Sequence, residues 1–392
     1  DQSYSGALFL GADTTLEGRN ITFNSTVNSV LEDQSLAVNS TGGGTTRFNG
    51  AIGTLTPLRS LSTNADGVTI LASSEINVGG DMVFNDAVTL AGNVSLAGSG
   101  ITFGQSVNSD DTAARALNVN TVGNGLTIFV GAVGDVNPLL RLTTGSDGVT
   151  RIRGGAVTTT LSQAYNNDTI IDGSVATTTL AGSSISFGAT LNGDVNTTQN
   201  LIINTTNNGQ TVFNGEVGNI TPLTSITTNA DGSTRFFGSI VRTSGDQTYA
   251  DAVALGSDIT FTANDITFNS TIDATPLLGP VALVVNTISN GITTFNAEVG
   301  ATTALKSLTT NADGSTRIGA NINTDGGSML FGDRVLIFRD VTLTDSNGLG
   351  VAFGSTIDSE GTPQSLAVLV DTDSNASITS PTRSEEHTSE LQ

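Results

Sequence analysis

Four copies of one twelve-residue phrase restrict what this chain can fold into. The fullest is Ser307-Leu-Thr-Thr-Asn-Ala-Asp-Gly-Ser-Thr-Arg-Ile318, with relatives at 60–71, 141–152 and 225–236. Their aspartates, Asp66, Asp147, Asp231 and Asp313, lie 81, 84 and 82 residues apart. A fixed period means that the fold must be read one repeat at a time. Each copy is two short alternating runs around an Asp-Gly turn. There an Asp carboxylate is expected to bond the backbone two residues on, with the glycine closing the bend.

A shorter motif recurs inside the long one: an aromatic residue, three mostly small or polar residues, then an aliphatic one. It begins at Tyr4, Phe23, Phe48, Phe84, Phe103, Phe129, Tyr165, Phe187, Phe213, Tyr249, Phe268, Phe295, Phe331 and Phe353. Its spacing cycles through about 20, about 26 and 36 residues, and the 36-residue gap is expected to hold two turns of about 18. Short runs rich in Thr, Val, Ile and Phe alternate with Gly, Asn, Asp and Ser corners. No run keeps a 3.6-residue apolar period, so helices are not expected. The pattern predicts an all-β chain, a parallel β-helix (β-solenoid) with about four coils per repeat and the motif aromatics facing inward. A string of small β-sandwiches is the rival, since Asp-Gly between alternating runs is also a hairpin signal. Against it, no linker separates the repeats, tryptophan is absent and the sub-period falls near 20.

One solenoid is therefore expected over 1–382, with repeats near 1–81, 82–162, 163–246, 247–328 and a partial 329–382. The opening Asp1-Gln-Ser-Tyr4 matches Asp246-Gln-Thr-Tyr249, so the sequence starts inside a repeat and reads as a fragment. The last ten residues, 383–392, fit no repeat and look like the in-frame translation of a DNA-sequencing adapter.

Gly245-Asp-Gln-Thr-Tyr-Ala-Asp-Ala-Val-Ala-Leu-Gly-Ser-Asp-Ile-Thr-Phe261, Asp265-Ile-Thr-Phe-Asn-Ser-Thr-Ile272 and Leu305-Lys-Ser-Leu-Thr-Thr-Asn-Ala-Asp-Gly314 resemble the β-strand repeats of very large bacterial surface proteins. These are the filamentous-haemagglutinin-like and autotransporter-like adhesins. The resemblance covers 1–382 and implies a right-handed parallel β-helix, secretion, and a role as stalk, adhesin or biofilm component.

Chemistry narrows the choice further. The net charge is −22, the wrong sign for gripping a phosphate backbone, so no nucleic-acid partner is expected. No apolar run is long enough to span a bilayer. Cysteine is absent and the only histidine, His387, lies in the suspected tail. Cysteine and histidine nucleophile systems, and zinc or iron sites built from them, are thereby excluded from 1–382. Calcium at the recurrent aspartates is disfavoured, with too few oxygen ligands per repeat. Asp86, Asp251 and Asp333 are read as turn residues like Asp66. Carboxylates outside the repeat pattern are Glu32, Asp33, Asp110 and Asp111, with Arg115 beside them. A polysaccharide-cleaving site would need them to converge. No catalytic, metal or cofactor site is assigned, and no enzyme is expected. The expected role is a secreted or cell-surface stalk or adhesin at the cell exterior. Its partners are an extracellular surface, a glycan or neighbouring copies of itself; polysaccharide binding or cleavage is the alternative.

Loops also vary unevenly. The connection after Phe23, Phe103, Phe187, Phe268 and Phe353 changes length and content, whereas the link from Gly53, Gly134, Gly218 and Gly300 to Leu58, Leu139, Leu223 and Leu305 is five residues each time. The variable loops are expected either to line one side of the solenoid and carry any adhesive surface, or to differ only because nothing constrains them. Ten Asn-x-Ser/Thr acceptors, Asn20 and Asn167 among them, leave glycosylation open.

Overall fold

The computed structural model describes residues 1–370, apart from 32, 174, 196, 197 and 277, together with the backbone of 377–379. The suspected tail lies outside the described residues. Two compact units are present, Asp1–Gln199 and Asn200–Gln392. Each is a β-solenoid without helix, and together they hold about 17 turns. Every pairing among the described residues is parallel, which removes the hairpin-built sandwiches.

In the first unit the coils present three ladders. The chain leaves ladder one at Gln2–Tyr4, adds Leu8–Leu10 to ladder two, and runs through 14–18 on ladder three. It then returns to ladder one, with Phe23 set directly on Tyr4. Successive register-mates on ladder one are Tyr4, Phe23, Phe48, Leu71 and Leu90, steps of 19, 25, 23 and 19 residues. Residues alternate between inward and outward along each strand because side chains change face at every residue. Val, Ile, Leu and Phe fill the inward stripe, and Thr, Asn, Ser and Arg occupy the outward one.

The aromatics come in runs of three that stack coil upon coil. Tyr4, Phe23 and Phe48 lie 5.3 and 5.0 Å apart between ring centres, on ladder one. Phe84, Phe103 and Phe129 lie 5.6 and 5.2 Å apart, on ladder three. In the second unit Tyr249, Phe268 and Phe295 repeat the arrangement at 5.3 and 5.6 Å. Phe23, Phe103, Phe187 and Phe268 are at most 1% exposed, so the motif points inward as the sequence predicts. Buried tyrosines keep a partner: the Tyr165 and Tyr249 hydroxyls donate to Gln163 and Gln247, whose amides in turn donate to backbone carbonyls.

The 36-residue gap differs from expectation. Phe48 sits below Leu71, whereas Phe84 sits above Thr63 on another ladder. The gap thus spans less than two full turns, because each new aromatic run begins on a different face. The consequence for the long repeat is geometric. Phe23 is on ladder one, Phe103 on ladder three and Phe187 on ladder two. Each repeat stops one strand short of four coils, so its counterpart returns rotated by one face.

Truncating Phe103 opens a hole between two parallel rings. Phe103→Ala is expected to destabilise the folded chain by roughly 3–5 kcal/mol. The outward neighbour Thr102→Ala should stay within about 0.5 kcal/mol. Denaturant midpoints of the two variants check the contrast.

Candidate functional site

The recurrent phrase is the upper half of a two-coil joint. Beneath Asn64-Ala-Asp-Gly67 lies Ser40-Thr-Gly-Gly-Gly44. The other joints pair 145–148 with 121–125, 229–232 with 205–209, and 311–314 with 287–291. The lower turn always holds two consecutive residues at positive φ: Gly42 and Gly43, Gly123 and Asn124, Asn207 and Asn208, Ser289 and Asn290. Gly, Asn and Ser stand there because branched side chains resist that region. The Asp carboxylate of the upper turn accepts the second residue's N–H. The distances are 3.1 Å for Gly43 to Asp66, 3.2 Å for Asn124 to Asp147, 3.0 Å for Asn208 to Asp231 and 3.2 Å for Asn290 to Asp313. These aspartates therefore tie one coil to the next. This corrects the expectation of a bond within their own turn.

Other atoms of the joint reinforce the tie. The Thr121, Thr205 and Thr287 hydroxyls donate to the carbonyls of Asp147, Asp231 and Asp313 at 2.8, 2.6 and 2.5 Å, and the Ser40 hydroxyl does so to Asp66. The Asn229 amide donates to the Thr205 carbonyl at 2.7 Å while its oxygen accepts the Thr205 N–H at 3.0 Å, extending the ladder with a side chain. Asn64 and Asn311 do the same; all three also donate a backbone N–H to the coil below, and Gly145 keeps that backbone bond, to the Val119 carbonyl at 2.8 Å. The closing glycine has φ of +90°, +80°, +92° and +87° in the four joints. A Cβ there would fall 1.8–2.0 Å from the carbonyl oxygen of the glycine below.

A second recurrent position sits inside. Asp86, Asn167, Asp251 and Asp333 are each at most 2% exposed and accept hydroxyls from two threonines of the preceding joint. Thr63 and Thr69 donate to Asp86 at 2.7 and 2.9 Å, Thr228 and Thr234 to Asp251 at 2.7 and 2.8 Å, and Thr310 and Thr316 to Asp333 at 3.1 and 2.8 Å. Burial raises the pKa of all three carboxyls, and the threonine hydroxyls oppose that rise. These three stand at bends between strands, as the sequence reading has them, but their carboxylates are interior groups. Asn167 is interior too, so its acceptor motif is closed to modification in the folded chain.

The carboxylates outside the repeat do not converge. Glu32 lies outside the described residues. Asp33 belongs to the 30–34 loop, which leads from ladder two to ladder three; Asp110, Asp111 and Arg115 belong to a loop leading from ladder one to ladder two. The two variable loops therefore occupy different edges of the first unit. The expectation that such loops line one side fails because of the one-face rotation per repeat. Each stands on the fixed link of the next coil. The Asn28 oxygen accepts the Leu55 N–H at 2.9 Å, the Asn108 oxygen the Val136 N–H at 3.0 Å, and the Asp273 carboxylate the Thr302 N–H at 2.8 Å. The recurrence of Asn or Asp at 28, 108, 192, 273 and 358 was the available signal for this staple. Beside the second loop is an open cleft of about 550 Å³, lined by the outward row Arg47, Ile70, Thr89 and Asn108 of ladder one and by Asp110, Asp111 and Val136. Arg115 hydrogen-bonds Asp110 and, with the Thr112 hydroxyl, brings its pKa down to about 2.

No family model matches the sequence, and neither a curated protein nor a solved structure does.

A methyl group at the closing glycine must displace the coil below as well as strain its own φ. Gly232→Ala should cost at least about 1–3 kcal/mol from backbone strain alone, with the clash adding to it. Gly11→Ala, where nothing lies within 4 Å of the added carbon, should be nearly silent. Thermal unfolding of the pair tests this.

Proposed function

We propose that the chain is the repeat region of a secreted or cell-surface stalk or adhesin, acting mechanically in adhesion, biofilm or filament formation and without catalysis. The observation that supports this most is how the recurrent polar residues are used. Asp66, Asn64, Ser40, Asp86 and their counterparts are spent on binding coil to coil. What recurs in every repeat is cohesion, the property a load-bearing element needs. A net charge of −22 favours solubility at high local density. In this reading the chain works at the cell exterior and sets reach, while an extracellular surface, a glycan or a neighbouring copy is the counterpart.

The cleft beside Asp110 favours a second reading, polysaccharide binding. Carboxylates and amides beside the aliphatic Ile70 and Val136 suit sugar hydroxyls and sugar faces. Glycoside cleavage is less well supported, since it requires a carboxylic acid able to give a proton. Asp110, held near a pKa of about 2 by Arg115, is ionised at neutral pH.

Cells displaying the full-length protein distinguish the readings. Deleting 247–328 or 82–162 should reduce adhesion by similar fractions, as reach shortens. Abolition by the 82–162 deletion alone, with protein still displayed, would reject the stalk reading and favour the cleft.

A further inference from the structure

The interior position of each joint differs between repeats in a chemically informative way. Asn167 uses both ends of its amide. Its oxygen accepts the Thr144 and Thr150 hydroxyls at 3.1 and 2.8 Å, and its nitrogen donates to the carbonyl oxygen of Asp147 at 3.1 Å. Asp86, Asp251 and Asp333 reproduce the accepting half with their own pairs of threonines. The turn carbonyls of Asp66, Asp231 and Asp313 stand at the same offset of 20 residues as Asp147 does from Asn167. An ionised carboxylate has nothing to donate to them, and a carboxylic acid does.

We propose that Asp86, Asp251 and Asp333 are proton-binding sites of the folded chain, each becoming a neutral acid as the solution acidifies and donating to the turn carbonyl of Asp66, Asp231 or Asp313, as the Asn167 amide donates to Asp147. The surroundings favour this. Among the described residues no cation pairs with any of the three, and burial disfavours their charged form. The titratable group on the coil below is the turn aspartate itself, whose carboxylate is turned away to the N–H of Gly43, Asn208 or Asn290. On their own coil, Asp251 faces Tyr249, whose phenol is raised by burial first and by the Asp251 charge second; the coil above Asp86 brings the uncharged Gln105, bonded to the Asn85 and Ala65 carbonyls.

The direction of the pH effect follows. An acid raised above its ordinary 3.8 binds more protons folded than unfolded between 3.8 and its native value. Stability from these sites grows as pH falls through the native value and is lost as pH rises through it. Each pKa unit above 3.8 is a tenfold gain in the folding equilibrium constant per site. The joints tighten in acid.

The test uses two opposed variants of the full chain. D86N/D251N/D333N should fold at least as well as the parent at pH 7, flatten the pH dependence of its unfolding midpoint on acidification, and remove the infrared carbonyl absorption of carboxyls that protonate ahead of the exposed ones. Asn167→Asp should do the reverse: a lower midpoint at pH 7, recovered on acidification, with added carboxyl absorption. A triple variant less stable at pH 7 with an unchanged pH slope would overturn the proposal. Should the triple variant fail to fold, an Asn167→Asp chain with the parent's pH profile would overturn it as well.

Discussion

Everything in this molecule depends on parallel register between one coil and the next. A parallel ladder repeats the same hydrogen-bond pattern at each strand spacing of about 4.8 Å. Each inward side chain therefore meets the equivalent inward side chain above and below. Like stacks on like: Phe on Phe, Thr beside Thr, Asn over a backbone pair. The 5.0 Å separation of Phe23 and Phe48, with rings 9° from parallel, is what the ladder spacing imposes on two aromatics in register. Corners are where that register is most easily lost, since loops of different length leave the ladder there. The Asn and Asp side chains of the joints act at those points, replacing missing backbone bonds with bonds of the same geometry.

The same constraint explains why the sequence repeat and the structural repeat differ. A coil is closed when the chain returns to its starting ladder, and each ladder accepts any strand with the right inward stripe. Nothing requires an 82-residue unit to contain a whole number of coils. Aromatic runs end where an aliphatic residue takes the inward place, as Leu71 does above Phe48, and a new run begins above a threonine, as Phe84 does above Thr63. The next run then starts one face away. Surface features that recur in sequence are consequently spread over several edges, and the interior acquires aromatic runs on each ladder in turn.

Much of the fold was legible because periodicity survives in the residues that face inward. The aromatic-to-aliphatic spacing identified the stripe, and the absence of a helical period excluded the other class. Three features were not legible, each for a physical reason. The roles of Asp66 and Asp86 look alike in sequence, both being aspartates near bends, yet one carboxylate reaches down to an N–H and the other enters the core. Spacing alone does not tell which way a side chain leaves a corner. The lower turns at 40–44, 121–125, 205–209 and 287–291 share little identity, because positive φ admits Gly, Asn or Ser, so their recurrence is conformational. The rotation of the repeat was hidden in the 36-residue gap, where two short turns and a change of face have the same length.

These properties bear on how such a chain can carry recognition. A one-sided adhesive strip needs equivalent loops above one another on one edge. Here the loops at 30–34 and 110–115 leave from different ladders, although they occupy the same place in their repeats. The exposed aliphatics of the fixed links, Leu55 and Val136, are both 73% exposed and follow the same displacement. A partner approaching the first unit from one direction meets one repeat's loop and not the next. Affinity summed along a single edge is therefore unavailable to this arrangement, whereas contact from several directions is built into it. It also accounts for the division of labour within each repeat, in which the strict residues hold coils together and the loops are free to differ.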